Sequence, residues 1–83
     1  MYQIGDLVTI TPDDQWPETN REGWTGARAR ITRIDEDEIQ CELTSSIEVN
    51  IGRLKAFQHT LYPGHKFWVN IGSIVKVEEG AKG

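Results

Sequence analysis

Ala27-Arg28-Ala29-Arg30-Ile31-Thr32-Arg33-Ile34-Asp35-Glu36-Asp37-Glu38-Ile39-Gln40-Cys41-Glu42-Leu43 holds two alternating runs around an acidic knot. Ala27, Ala29 and Ile31 fall on one face, and Arg28, Arg30 and Thr32 on the other. Alternation with period two, rich in β-branched residues, predicts a strand rather than a helix. Ile34 breaks the parity, which predicts a bulge near Arg33. Asp35-Glu36-Asp37-Glu38 then reads as a hairpin turn. Beyond it Ile39, Cys41 and Leu43 share one face, with Gln40, Glu42 and Thr44 opposite.

Working outward, the same pattern recurs. Tyr2, Ile4, Val8 and Ile10 alternate with Gln3, Leu7, Thr9 and Thr11, broken by Gly5-Asp6 and ended by Pro12. Proline cannot donate to a sheet ladder. Residues 12–26 are nearly all turn formers and form a long first loop, and nothing in the chain predicts a helix of more than one turn. On the other side Thr44-Ser45-Ser46 turns the chain, and Ile47, Val49 and Ile51 make a further inward row. Leu54 and Phe57 read as core anchors, Gln58-His59-Thr60 as loop and Pro63-Gly64-His65 as turn. Residues 66–71 and 74–79 read as strands broken at Gly72-Ser73. Val49-Asn50-Ile51-Gly52 and Val69-Asn70-Ile71-Gly72 echo each other, as a repeated corner would, though two copies do not make a solenoid.

Short strands separated by turn signals predict an all-β fold, a small barrel of five to six short antiparallel strands. Closure removes the open edges that so small a sheet would otherwise expose. Residues 1–79 make one domain and residues 80–83 a flexible tail. The expected core is Ile4, Val8, Ile10, Ala29, Ile31, Ile39, Cys41, Leu43, Val49, Phe67, Val69, Ile71 and Val75 or Val77.

Size and composition narrow the function. A chain of 83 residues buries only about two-thirds of its unfolded surface, so a large internal substrate cavity is not expected. One cysteine makes neither an internal disulfide nor a zinc cluster. No apolar run approaches the roughly 20 residues that span a bilayer. The first residues lack the basic and apolar regions of a signal peptide. These features predict a reduced, cytoplasmic protein with no membrane partner.

Ile4-Gly5-Asp6-Leu7-Val8-Thr9-Ile10, the long loop, and Gly23-Trp24-Thr25-Gly26-Ala27-Arg28-Ala29-Arg30-Ile31 together resemble the opening of SH3-like barrels. Phe67-Trp68-Val69-Asn70-Ile71-Gly72-Ser73-Ile74-Val75-Lys76-Val77 resembles their last strands, with a 3₁₀ corner between. Similar layouts occur in KOW-type modules, in small phage proteins and in the SH3-like barrels of photosynthetic complexes such as photosystem I. The resemblance implies an SH3-like barrel and, at Gly5 and Gly26, sharp turns that glycine tolerates because it reaches φ > 0. The opening typical of SH3 domains that take proline-rich ligands is absent. The fold alone therefore transfers no function.

No catalytic residue is expected. Cys41 lies on an inward row, where cysteine acts as a small hydrophobe. His59 and His65 have no Cys, Asp or Glu near them in sequence, and zinc needs three or four ligands. The acidic run 35–38 lacks the spacing and glycine of a calcium loop, and no glycine-rich phosphate loop is present. No metal, cofactor or small-molecule substrate is predicted, and the chain reads as a non-enzyme.

Two interaction readings remain, and charge bears on both. Residues 1–48 hold 11 acids and 4 bases, residues 49–77 hold 4 bases and no acid, and the whole chain carries −4. Such a split suggests a two-faced surface and head-to-tail self-association. Tryptophan, tyrosine and arginine dominate protein interfaces. They predict a protein-binding surface joining Trp16 and Trp24 of the first loop to Arg53, Lys55, Tyr62 and Trp68. Bases interleaved with aromatics also suit nucleic acid, and that alternative uses Arg28, Arg30, Arg33, Arg53, Lys55 and Lys66. An acidic pI near 5.0 weighs against it. A third alternative is a structural component of a larger complex. The primary expectation is a non-catalytic protein–protein interaction module.

Overall fold

The computed structural model describes residues 1–16, 18–51 and 57–77, with residues 18–20, 50, 51, 57 and 58 described by backbone alone. The two alternating runs become β2 (Arg28–Asp35) and β3 (Glu38–Leu43), antiparallel partners. Their register shifts between Ile31 and Arg33, which is the predicted bulge. Its effect is to keep Arg33, like Arg30, on the outer face while Ile34 turns towards Ile39. The hairpin closes on Glu36 and Asp37, with Glu36 at φ 55°.

β1 (Leu7–Ile10) pairs with β2 on one side and with β7 (Ile74–Lys76) on the other. β6 (Lys66–Asn70) pairs with the free side of β3. The main sheet therefore has five strands in the order β6-β3-β2-β1-β7. Its two outermost strands are consecutive in the chain, joined only by a 3₁₀ turn at Ile71–Ser73. Asn70 caps that turn by accepting from the Gly72 amide at 2.9 Å. The Ile71 amide donates to the Asp37 carbonyl at 2.8 Å, which ties the corner to the β2–β3 turn. The glycine expectation holds, with Gly5 at φ +97° and Gly26 at +83°.

Two elements differ from the sequence expectation. Residues Glu18–Trp24 form a helix, α1, inside what reads as loop. A helix this short is held by packing more than by propensity. Arg21 in its last turn suits the negative end of the dipole. The second difference is a strand, β5 (Phe57–Leu61), where Gln58-His59-Thr60 reads as loop. It pairs with β4 (Ile47–Ile51), Ile47 opposite Leu61 and Val49 opposite His59, as a separate two-stranded ribbon. One face of such a ribbon meets water and tolerates polar side chains. Among the described residues there are seven strands, five in the main sheet and two in the ribbon. The expectations for Leu54, Gly52 and the 80–83 tail lie outside the described residues, and so does that for the Phe57 side chain. Of the echoed corners, the second is the 3₁₀ turn, while β4 runs on through Ile51.

The core is the inner row of each strand. Val8, Ile10, Ala29, Ile31, Ile39, Cys41, Leu43, Val49 and Val69 are buried as expected, joined by Trp24, Ala27 and Ile74. Phe67 packs against them from a half-buried position. Ile4, Ile71 and Val75 are exposed instead. Ile4 precedes β1 in a turn closed by the Asp6 amide on the Gln3 carbonyl, so β1's alternation does not reach back to it. Ile71 opens the 3₁₀ turn. In β7, Ile74 stands opposite buried Ile10, which sends Val75 outward beside Thr9.

Candidate binding face

The tryptophans decide which surface is available to a partner. Trp24 closes α1 and is only 9% exposed. Its ring meets Phe67 at 4.5 Å between centroids and Trp16 edge-on at 6.0 Å. Half-buried Trp16 donates its indole N–H to the hydroxyl of Ser73 at 2.9 Å. Ser73 is itself fully buried at the 3₁₀ corner. The two loop tryptophans are therefore core closures that lock α1 against the corner and β6. The sequence expectation gives both to a partner, whereas the fold places Trp24 in the core and Trp16 partly buried against it. Trp24 spends its ring on Phe67 and Trp16 spends its indole N–H on Ser73, which leaves each less to offer outside.

Trp68 is the opposite case. β6 alternates, with Phe67 and Val69 inward and Lys66, Trp68 and Asn70 outward, and Trp68 is 47% exposed. It stands opposite Gln40 on β3, and Gln40 stands opposite Arg33 on β2. The Thr32 hydroxyl lies 3.1 Å from the Gln40 side-chain oxygen and 3.2 Å from its carbonyl. Its single proton serves one at a time, and the Gln40 side chain is held only when its own oxygen accepts. Trp68 thus projects from the middle of a strand paired with β3, and its backbone is ordered before any contact forms, which lowers the cost of that contact.

The neighbouring rows carry charge. Lys66 stands opposite Glu42, and Glu42 opposite Arg30, whose guanidinium donates to the Gly5 carbonyl at 3.0 Å. Arg28 stands opposite Thr9, which faces Val75. Arg28, Arg30, Arg33 and Lys66 therefore share one outer face with Trp68. Arg53 and Lys55 lie outside the described residues. Tyr62 is 67% exposed but sits in the turn before β6, beyond the Lys66 end. It lines an open groove of about 390 Å³ with His59, Thr60, Leu61, Pro63 and His65. The expected protein-binding set is divided in this way, Trp16 and Trp24 inside, Trp68 and Tyr62 outside at different places. The charge split along the chain is also partly cancelled in space, since Lys76 lies 3.5 Å from Asp6 and Lys66 faces Glu42.

Reactive chemistry has little footing among the described residues. No group of three or more His, Cys, Asp or Glu there could hold a metal ion. His59 and His65 line one groove, but two ligands fall short of a zinc site. Cys41 is fully buried, and burial pushes its thiol up to about 11 from 9.0. The folded state thus favours the neutral thiol. Its contribution to stability is complete below pH 9 and is lost as pH rises towards 11, by about 1.4 kcal/mol per pH unit. Urea unfolding at pH 8 and pH 10 checks this. The wild type should lose more stability between the two than Cys41→Ala, and equal losses would show that the thiol is not buried.

No helix among the described residues is long and apolar enough to cross a membrane. The fold and face together define a small all-β protein with a basic and aromatic outer sheet face. Comparison of the chain with protein-family models, with curated proteins and with solved structures gives no match.

Proposed function

We propose that the chain is a non-catalytic protein-interaction module of the SH3-like barrel type, binding through the outer face of the main sheet around Trp68. The observation that carries the reading is the contrast between the tryptophans. Two pack internally, and one stands outward from β6, 47% exposed, with Gln40 and Arg33 across the sheet from it and Lys66 on its own strand. Tryptophan with arginine is the side-chain pairing that dominates protein hot spots. The strand order β6-β3-β2-β1-β7, with a 3₁₀ corner before the last strand, supports the SH3-like part of the reading.

A KOW-like nucleic-acid module is the second reading, favoured by Arg28, Arg30, Arg33 and Lys66 sharing the face with an exposed aromatic. The chain's net charge of −4 and the acidic turn at the end of the same face speak for a protein instead.

The test is affinity capture with the tagged full chain at ~150 mM salt, with and without nuclease. A stoichiometric protein should survive nuclease. Trp68→Ala should weaken binding roughly thirtyfold or more, the hot-spot loss of ~2 kcal/mol or more, with thermal stability close to wild type. Full recovery by Trp68→Ala contradicts the reading. Complete loss on nuclease treatment moves the function to nucleic acid.

A further inference from the structure

The outer face has an order that narrows the partner. Two residues of strand advance about 6.8 Å, so its rows lie roughly that far apart. The first row is Val75, Thr9 and Arg28, and the second is Leu7, Arg30, Glu42 and Lys66. The third is Arg33, Gln40 and Trp68, and the fourth is Asp35, Glu38 and Asn70. Across the first three rows, four bases stand against the single acid Glu42, leaving three positive charges. Glu42 has a base on either side of it. The fourth row reverses sign, and Glu36 and Asp37 of the adjoining turn extend the reversal.

We propose that this face takes an acidic protein segment carrying one large apolar side chain, seated on Trp68 with its carboxylates along Arg33, Lys66 and Arg28. The proposal rests on the reading of the Trp68 face as the contact surface. In an acidic chain the three basic rows are a local inversion of charge, and salt confines their field to about 8 Å. Only a ligand lying directly on them feels it. Three of the four bases are arginines, whose planar fork matches a carboxylate with two parallel bonds. Arg30 already donates to the Gly5 carbonyl, so its part is charge in the row rather than a free fork. The acidic fourth row marks where the ligand's negative stretch ends. A polyphosphate chain continues past that point and meets Asp35, Glu38 and the turn, whereas a short peptide alternating carboxylates with one apolar anchor stops before it.

A display library of random peptides about 12 residues long, more than enough to cross five strands spaced ~4.8 Å apart, is selected on the full chain. Expected sequences carry Asp and Glu flanking one aromatic or leucine. Their affinity should fall at least tenfold on Arg33→Glu with Lys66→Glu and vanish on Trp68→Ala, each variant retaining the wild-type circular dichroism spectrum. Neutral or basic peptides that still require Trp68 overturn this proposal and leave the contact face standing. Acidic peptides indifferent to Trp68 overturn both. Failure to recover any peptide overturns the proposal, because a linear acidic segment is then not what the face holds. Trp68-dependent binding of single-stranded oligothymidylate in place of peptide assigns the face to nucleic acid.

Discussion

Trp24→Ala should leave the chain largely unfolded at room temperature. The ring is 9% exposed and lies between Phe67 at 4.5 Å and Trp16 at 6.0 Å. Truncating a buried aromatic of this size costs about 3–5 kcal/mol, as much as the ~3–5 kcal/mol a domain of about 80 residues usually holds. The loss spreads. Without Trp24 the indole of Trp16 loses its edge contact, and α1 loses the side chain that fixes its last turn to the core. Near-ultraviolet circular dichroism and amide proton dispersion should both collapse. Trp24→Phe, which keeps a ring against Phe67, should stay folded with a lower urea midpoint. An unchanged midpoint for Trp24→Ala would mean that the ring does not close the core.

The second large effect runs against local propensity. Glycine inside a helix costs about 1 kcal/mol relative to alanine, so Gly23→Ala in α1 ought to stabilise. Here it should destabilise. A Cβ at position 23 overlaps the carbonyl oxygen of Glu48 and comes within 3.0 Å of the Cα and Cγ1 atoms of Val49. Two of these are backbone atoms of β4, which cannot rotate aside. Overpacking of this kind costs about 1–3 kcal/mol, and its relief requires α1 and the β4–β5 ribbon to separate. Urea unfolding should give a lower midpoint, and hydrogen exchange should show protection falling first in β4 and β5. A rise in stability would mean that α1 does not lie against β4.

These two positions also mark where sequence reasoning stops. The β2–β3 hairpin, its bulge near Arg33 and the turns at Gly5 and Gly26 are local, each carried by parity or by a residue needing φ > 0, while the 3₁₀ corner is legible only through the resemblance to SH3-like barrels. α1 is not local. Its residues include Thr19, Asn20 and Gly23, poor helix formers, and it exists because Gly23 admits β4 and Trp24 reaches Phe67, 43 positions away. A tryptophan in a polar loop looks available to a partner until the fold supplies that distant ring. β5 is hidden for a related reason, since its strand character depends on pairing with β4 rather than on its own apolar rows.

The candidate face divides in the same way. That Arg28, Arg30 and Arg33 share a side follows from one strand and its bulge, and that Trp68 opposes Phe67 and Val69 follows from parity. Their convergence does not. It requires β6 to pair with β3, which puts Lys66 across Glu42 from Arg30 and Trp68 across Gln40 from Arg33. No short-range pattern announces that pairing.

The most direct test of the contact face uses the indole N–H resonances of the three tryptophans as the captured partner is titrated into the full chain. The account predicts that the Trp68 indole shifts or broadens together with the amides of Gln40, Arg33 and Lys66, while the Trp16 and Trp24 indoles stay in place. Movement of the Trp16 or Trp24 signals with Trp68 unmoved would contradict it and return the interaction to the α1 side of the sheet.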